Sequence, residues 1–146
     1  MSDFGLRILI VEDQYLIAKQ VEMIVSGAGH QVVGIAGTLN EACRLAMSSE
    51  PDVAFVDLSL ADGTTGLVVG DFIRTSCRTL VVYMTANLRR IPEDFAGALG
   101  VVEKPFTKTD LLSAMAFLTS FIKSGLMPDK VPASLKLAPQ APAVMS

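Results

Sequence analysis

"DVAFVD", residues 52–57, carries four apolar residues between two acids and no polar residue among them. A strand with one face in water alternates apolar and polar side chains, so an unbroken apolar run suits a strand covered on both faces. "LRILIV" (6–11), "HQVVGIA" (30–36), "TLVVYMT" (79–85) and "GVVE" (100–103) read as four more strands. Helical spacing separates them. Residues 14–28 place Ile17, Val21, Ile24 and Ala28 on one face, with Gly27 and Gly29 at the end. Thr38 with Glu41, and Thr107 with Asp110, have the spacing of helix-starting capping boxes, for helices to about Ser49 and about Lys123. Residues 66–76 form a further helix after the Gly-rich "SLADGTTG" (59–66). Between Thr85 and Gly100 the pattern is poor, Pro92 interrupts it, and only "PEDFAGAL" could supply a short helix. Buried strands alternating with helices predict an α/β fold, a doubly wound five-stranded parallel sheet flanked by helices.

Composition removes several function classes. The 146 residues fit one domain with one core, and a 51% apolar content argues against disorder. The longest apolar runs are four or five residues, whereas a spanning helix needs about 20, so no membrane segment is expected. "MSDFGLR" lacks the layout of a signal peptide, which predicts a cytoplasmic protein. A net charge of −3 gives no footprint for nucleic acid, and the Arg89-Arg90 doublet reads as a solvated loop. Cys43 and Cys77 match no ligand spacing and read as reduced interior thiols; His30 reads as a turn residue. From Gly125 the chain is rich in Pro and Ala with no periodicity, so residues 1–124 are expected to fold and 125–146 to form a flexible tail. Val131, Leu135 and Leu137 leave a docking segment as the other reading of that tail.

In an open α/β sheet ligands bind beyond the carboxyl ends of the strands, where strand order reverses. The first strand ends in Glu12-Asp13, the third in Asp57, the fourth in Thr85 and the fifth, in "GVVEKPF" (100–106), runs into Lys104. Each has a purely structural explanation, since acids favour helix N-termini and Thr85 could be a cap. Their gathering at one edge is harder to explain so. Three converging carboxylates would take up protons unless compensated. Lys104 supplies one positive charge, and a divalent ion would supply two more. Magnesium suits carboxylate and water oxygens; zinc is disfavoured without Cys or His at hand. A carboxylate beside magnesium, with a lysine and a hydroxyl, is equipment for forming an aspartyl phosphate.

"ILIVEDQ", "FVDLSLADG", "YMTA" and "EKPF", in this order, resemble the receiver domain of two-component response regulators, over roughly residues 6–124. The resemblance implies a flavodoxin-like fold with Asp57 as phosphoacceptor. It implies magnesium held by Asp13, Asp57, the main-chain carbonyl of Ser59 and Glu12 through water, with Thr85 and Lys104 contacting the phosphoryl group. It also implies a cis Lys104–Pro105 bond. The donor would be a histidine kinase or histidine phosphotransfer protein. The chain would not be an enzyme beyond hydrolysis of its own phosphoryl group. Val101 departs from the family, which often has an aromatic switch residue there.

With no room for an output domain, the chain is expected to act alone through phosphorylation-dependent protein contacts. The last helix, "LLSAMAFLTSFI" (111–122), carries no charge, and Phe117 and Phe121 flank its core stripe. That flank is expected to bind a downstream protein or a second copy in a homodimer. Two other readings stand beside this one: a receiver-like adaptor that is never phosphorylated, and a magnesium phosphatase with an aspartyl nucleophile. Asp57-Leu58-Ser59 lacks the second acid such a phosphatase would need.

Overall fold

The computed structural model describes residues 5–63 and 66–139. Its elements run β1 (Arg7–Val11), α1 (Tyr15–Gly27), β2 (Gln31–Ala36), α2 (Leu39–Ser49), β3 (Val53–Asp57), α3 (Gly66–Ser76), β4 (Leu80–Thr85), β5 (Gly100–Glu103), α4 (Lys108–Ser124) and β6 (Leu135–Leu137). The sheet order is β2-β1-β3-β4-β5-β6, with β1 to β5 parallel and β6 antiparallel to β5. The uninterrupted apolar strands divide their side chains between two cores. Ile8, Ile10, Phe55, Met84 and Val102 pack on one face with residues of α1 and α4. Leu9, Val11, Val56, Tyr83 and Val101 pack on the other with residues of α2 and α3. No helix among the described residues is long and apolar enough to cross a membrane.

The helix starts follow the sequence closely. Thr38 accepts from the Glu41 amide at 3.3 Å, and Glu41 Oε1 accepts from the Gly37 amide at 3.0 Å and from the Thr38 hydroxyl at 3.3 Å. Thr107 and Asp110 form a complete capping box on α4. The strand order reverses between β1 and β3, which brings Glu12 and Asp57 to one crevice. Gly66 opens α3 so close to the end of β3 that a Cβ there would strike the Asp57 carbonyl.

Four expectations need correction. Among the described residues the sheet has six strands, because the segment after Gly125 returns to the open edge of β5. Leu135 and Ala138 are buried there, and Gly100 lacks the Cβ that would collide with the Lys136 carbonyl. An unpaired strand edge carries unsatisfied amides and carbonyls, and β6 satisfies them from within the chain. Residues 140–146 of the expected tail lie outside the described residues.

Second, Phe117 and Phe121 are 4% and 0% exposed, so the apolar flank of α4 offers no dimer surface. They share a core with Leu135, Met127 and Leu137 of the returning segment, which covers in cis what the sequence suggested was open to a partner. Third, no α-helix links β4 to β5. Two 3-10 turns, Leu88–Arg90 and Phe95–Gly97, stand there instead. Phe95, Ala96 and Gly97 have φ of 54°, 50° and 83°, and a right-handed helix cannot continue through left-handed residues.

Fourth, His30 is more than a turn residue. Its Nδ1 accepts a hydrogen bond from the Leu6 amide at 2.9 Å, which requires that nitrogen unprotonated. Burial holds its pKa below the ordinary 6.5, and Lys123 adds to the shift. The folded pKa is depressed, so the stability it contributes is complete above about pH 6.5 and lost as the pH falls through the folded value. The denaturation midpoint should therefore drop between about pH 7.5 and pH 5. His30→Gln should flatten that drop, and an unchanged slope in the variant would assign it to other groups. Cys43 and Cys77 are free and only half-buried.

Candidate functional site

Four strands deliver polar groups to the carboxyl edge. Glu12 follows β1 and is 2% exposed; Asp57 closes β3 at 7% and Thr85 closes β4 at 4%. Asp13 is exposed beside them. Lys104 follows β5, and its amide donates to the Thr85 carbonyl at 2.8 Å, prolonging the β4–β5 ladder by one bond. The bond to Pro105 is cis.

The lysine joins the first and third strands. Its Nζ donates to Glu12 Oε1 at 2.7 Å and to Asp57 Oδ1 at 3.1 Å, and its side chain is 14% exposed. Glu12 Oε2 also accepts from the Gln14 amide at 3.2 Å. Burial pushes the Glu12 pKa up, opposed by the hydrogen bonds from Lys104 and Gln14 and reinforced by the charge of Asp57. For Lys104 burial works against the charged form. The hydrogen bond to Glu12 and the charges of Asp57 and Glu12 outweigh it and raise the pKa. The ammonium is thus fixed between two carboxylates.

Glu12, Asp13 and Asp57 each offer a carboxylate oxygen, all within 4.8 Å of one another. Three carboxylates against one ammonium leave two uncompensated negative charges. The donor set is oxygen only, which matches a hard divalent cation such as magnesium and not zinc.

The hydroxyls of two predicted residues have partners outside the acidic cluster. Thr85 Oγ1 accepts from the Asn87 amide at 3.0 Å and donates to the Asn87 carbonyl at 3.3 Å. Ser59 Oγ accepts from Arg90 Nη1 at 2.6 Å, across 31 residues of chain. The sequence places Arg90 in a solvated loop. The one available signal was its place five residues past Thr85, on the same loop as a site residue.

These features define a doubly wound α/β domain with an acidic, lysine-bridged crevice at its switch point. The chain belongs to the response regulator receiver domain family of two-component systems, whose family description matches residues 8–116. The phyllosphere-induced regulator PhyR of Methylorubrum extorquens is 33% identical over 126 residues, 84% of this chain and 47% of that protein. The crystal structure of the response regulator PhyR from Brucella abortus superposes with a TM-score of 0.70 at 33% identity, covering 82% of this chain and 49% of that one. The solution structure of the PhyR receiver domain from Erythrobacter litoralis gives 0.72 at 26% identity, covering 88% and 96%. The chain spans about half the length of PhyR from M. extorquens and B. abortus.

Proposed function

We propose that this chain is a phosphoacceptor switch of a phosphorelay, with Asp57 as the acceptor. The observation that carries the reading is the Lys104 ammonium held at 2.7 Å from Glu12 and 3.1 Å from Asp57, with Asp13 alongside. An Asp57 carboxylate oxygen forms a bond to phosphorus as the P–N bond of a phosphohistidine donor breaks, and the leaving imidazole takes up a proton. Lys104 then pairs with the phosphoryl oxygens in place of the Asp57 oxygen that it holds at rest. Thr85 supplies a hydroxyl at the end of the adjacent strand, available once it releases Asn87.

Glu12, Asp13, Asp57 and the main-chain carbonyl of Ser59 would hold magnesium, which when bound neutralises charge on the transferring group. The donor is a histidine kinase or histidine phosphotransfer protein in the cytoplasm. Tyr15 and Leu16, 69% and 81% exposed, open α1 just past the acidic pair and offer that donor apolar surface. Output passes through protein contacts that depend on phosphorylation. The related PhyR of Bartonella quintana is described as an anti-anti-sigma factor, which is in keeping with protein-binding output.

Acetyl phosphate with magnesium should give an acid-stable, hydroxylamine-labile phosphoryl adduct, and Asp57→Asn should abolish it. No adduct with any donor would leave the adaptor that binds partners without phosphorylation. Steady turnover of unrelated phosphate esters would point to the phosphatase instead.

A further inference from the structure

Of the Arg89-Arg90 doublet, Arg90 reaches out of its loop to the loop that leaves β3. Its guanidinium holds the hydroxyl of Ser59, two residues past Asp57 on the loop leaving β3, and both residues are exposed. The turn that carries Arg90 rests on Thr85. The Asn87 carbonyl accepts from Thr85 Oγ1 at 3.3 Å and from the Arg90 amide at 3.1 Å. Asn87 Oδ1 accepts from the Arg89 amide at 3.0 Å. The hydroxyl at the end of β4 and the guanidinium that spans to the β3–α3 loop therefore hang on one carbonyl.

A threonine hydroxyl has one proton. It can be given to the Asn87 carbonyl or to a phosphoryl oxygen on Asp57, but not to both. A guanidinium, with its planar fork of N–H donors, binds a phosphoryl group more strongly than a neutral hydroxyl. Val101, opposite Tyr83 in the sheet and 0% exposed, has no ring to swing between two positions. The Thr85–Asn87–Arg90 chain is a second way out of the site.

We infer that Arg90 is a phosphoryl-sensing latch: it holds Ser59 in the resting protein and transfers to the phosphoryl group on Asp57. Thr85 leaves Asn87 in the same step, which loosens the turn and changes the surface of residues 86–99. The latch rests on the acceptor reading above. In the phosphorylated protein the guanidinium stabilises the acyl phosphate and hinders the approach of water.

The test follows hydrolysis of the adduct in wild type, Arg90→Gln and Arg90→Lys, with tryptic cleavage after Arg89 before and after labelling. Arg90→Gln should shorten the phosphoryl lifetime about three- to tenfold, the scale of one hydrogen bond to a charged group at a half-open site. Arg90→Lys should recover part of it. Labelling should change cleavage after Arg89 in wild type, and that change should vanish in Arg90→Gln. Equal lifetimes with the same label-dependent cleavage in wild type and Arg90→Gln would overturn the latch alone. Failure of every variant to take label would overturn the acceptor reading and the latch with it.

Discussion

Lys104→Met is expected to lower stability by about 2–3 kcal/mol at neutral pH without divalent ions. Removing one member of a buried ion pair usually costs about 3–5 kcal/mol, because the partner stays behind as a buried charge. Here Lys104 holds two carboxylates, and both are buried. The loss stays below that range because Glu12, whose pKa burial already raises, can take up a proton. Without Lys104 the folded-state pKa of Glu12 rises further above its unfolded value. Stability from such a group is complete below the unfolded value, 4.5 here, and is lost as pH rises through the folded one. The deficit against wild type should therefore widen from about pH 4.5 upward. Magnesium should close part of it, since a ligand bound only by the folded state stabilises that state. Lys108→Met, at an exposed position, should shift stability by no more than about 0.5 kcal/mol. Denaturant titration of both variants with magnesium and with chelator measures this. A Lys104→Met protein as stable as wild type would remove the claim that this ammonium compensates the acids.

Ending the chain at Gly125 should cost more, about 3–5 kcal/mol, and lower the melting temperature by about 10–20 °C. The truncation removes the buried Leu135 and Ala138 together with the partly buried Met127 and Leu137. It also uncovers the β5 edge and the Phe117 flank of α4. An open edge beside apolar surface invites association, so the truncated protein should also form dimers or aggregates. Leu135→Ala in the full chain isolates the packing contribution at about 2–4 kcal/mol. Gly100→Ala places a Cβ against the Lys136 carbonyl and should loosen β6 without shortening the chain. Calorimetry with mass measurement in solution decides. A truncated protein that melts like the full chain and keeps the same oligomeric state would show that β6 holds nothing in place.

Much of this arrangement is legible without coordinates, for a physical reason. "ILIV", "VAFV" and "LVVYM" are apolar throughout, which only a sheet covered on both faces tolerates. The polar residues that end those runs are then forced to one edge. Glu12, Asp57 and Lys104 meet there because they stand at the ends of β1, β3 and β5, and that placement depends only on counting along strands. What was missed depends on contacts remote in sequence. The partner of Leu135–Leu137 is the edge of β5 at Gly100–Val102, and three residues of local pattern cannot announce it. The uncharged flank of α4 suggests a surface for a downstream protein or a second copy, and the fold instead buries Phe117 and Phe121. The sequence could not say that its own returning segment covers them. The poor pattern and Pro92 mark a weak helix between Thr85 and Gly100, but Phe95 and Ala96 adopt positive φ although neither is a glycine, so the two 3-10 turns that stand there carry no local signal of their own. Arg90 acts across the loop, and its partner Ser59 lies 31 residues away.

The most direct measurement is chemical mapping of the phosphoryl group. Protein treated with acetyl phosphate and magnesium is reduced with borohydride, which converts an aspartyl phosphate to homoserine, and is then digested and sequenced by mass spectrometry. Conversion is expected at residue 57 alone and is lost when magnesium is chelated. Conversion at Asp13, or none at any residue while the protein remains folded, would contradict Asp57 as the acceptor.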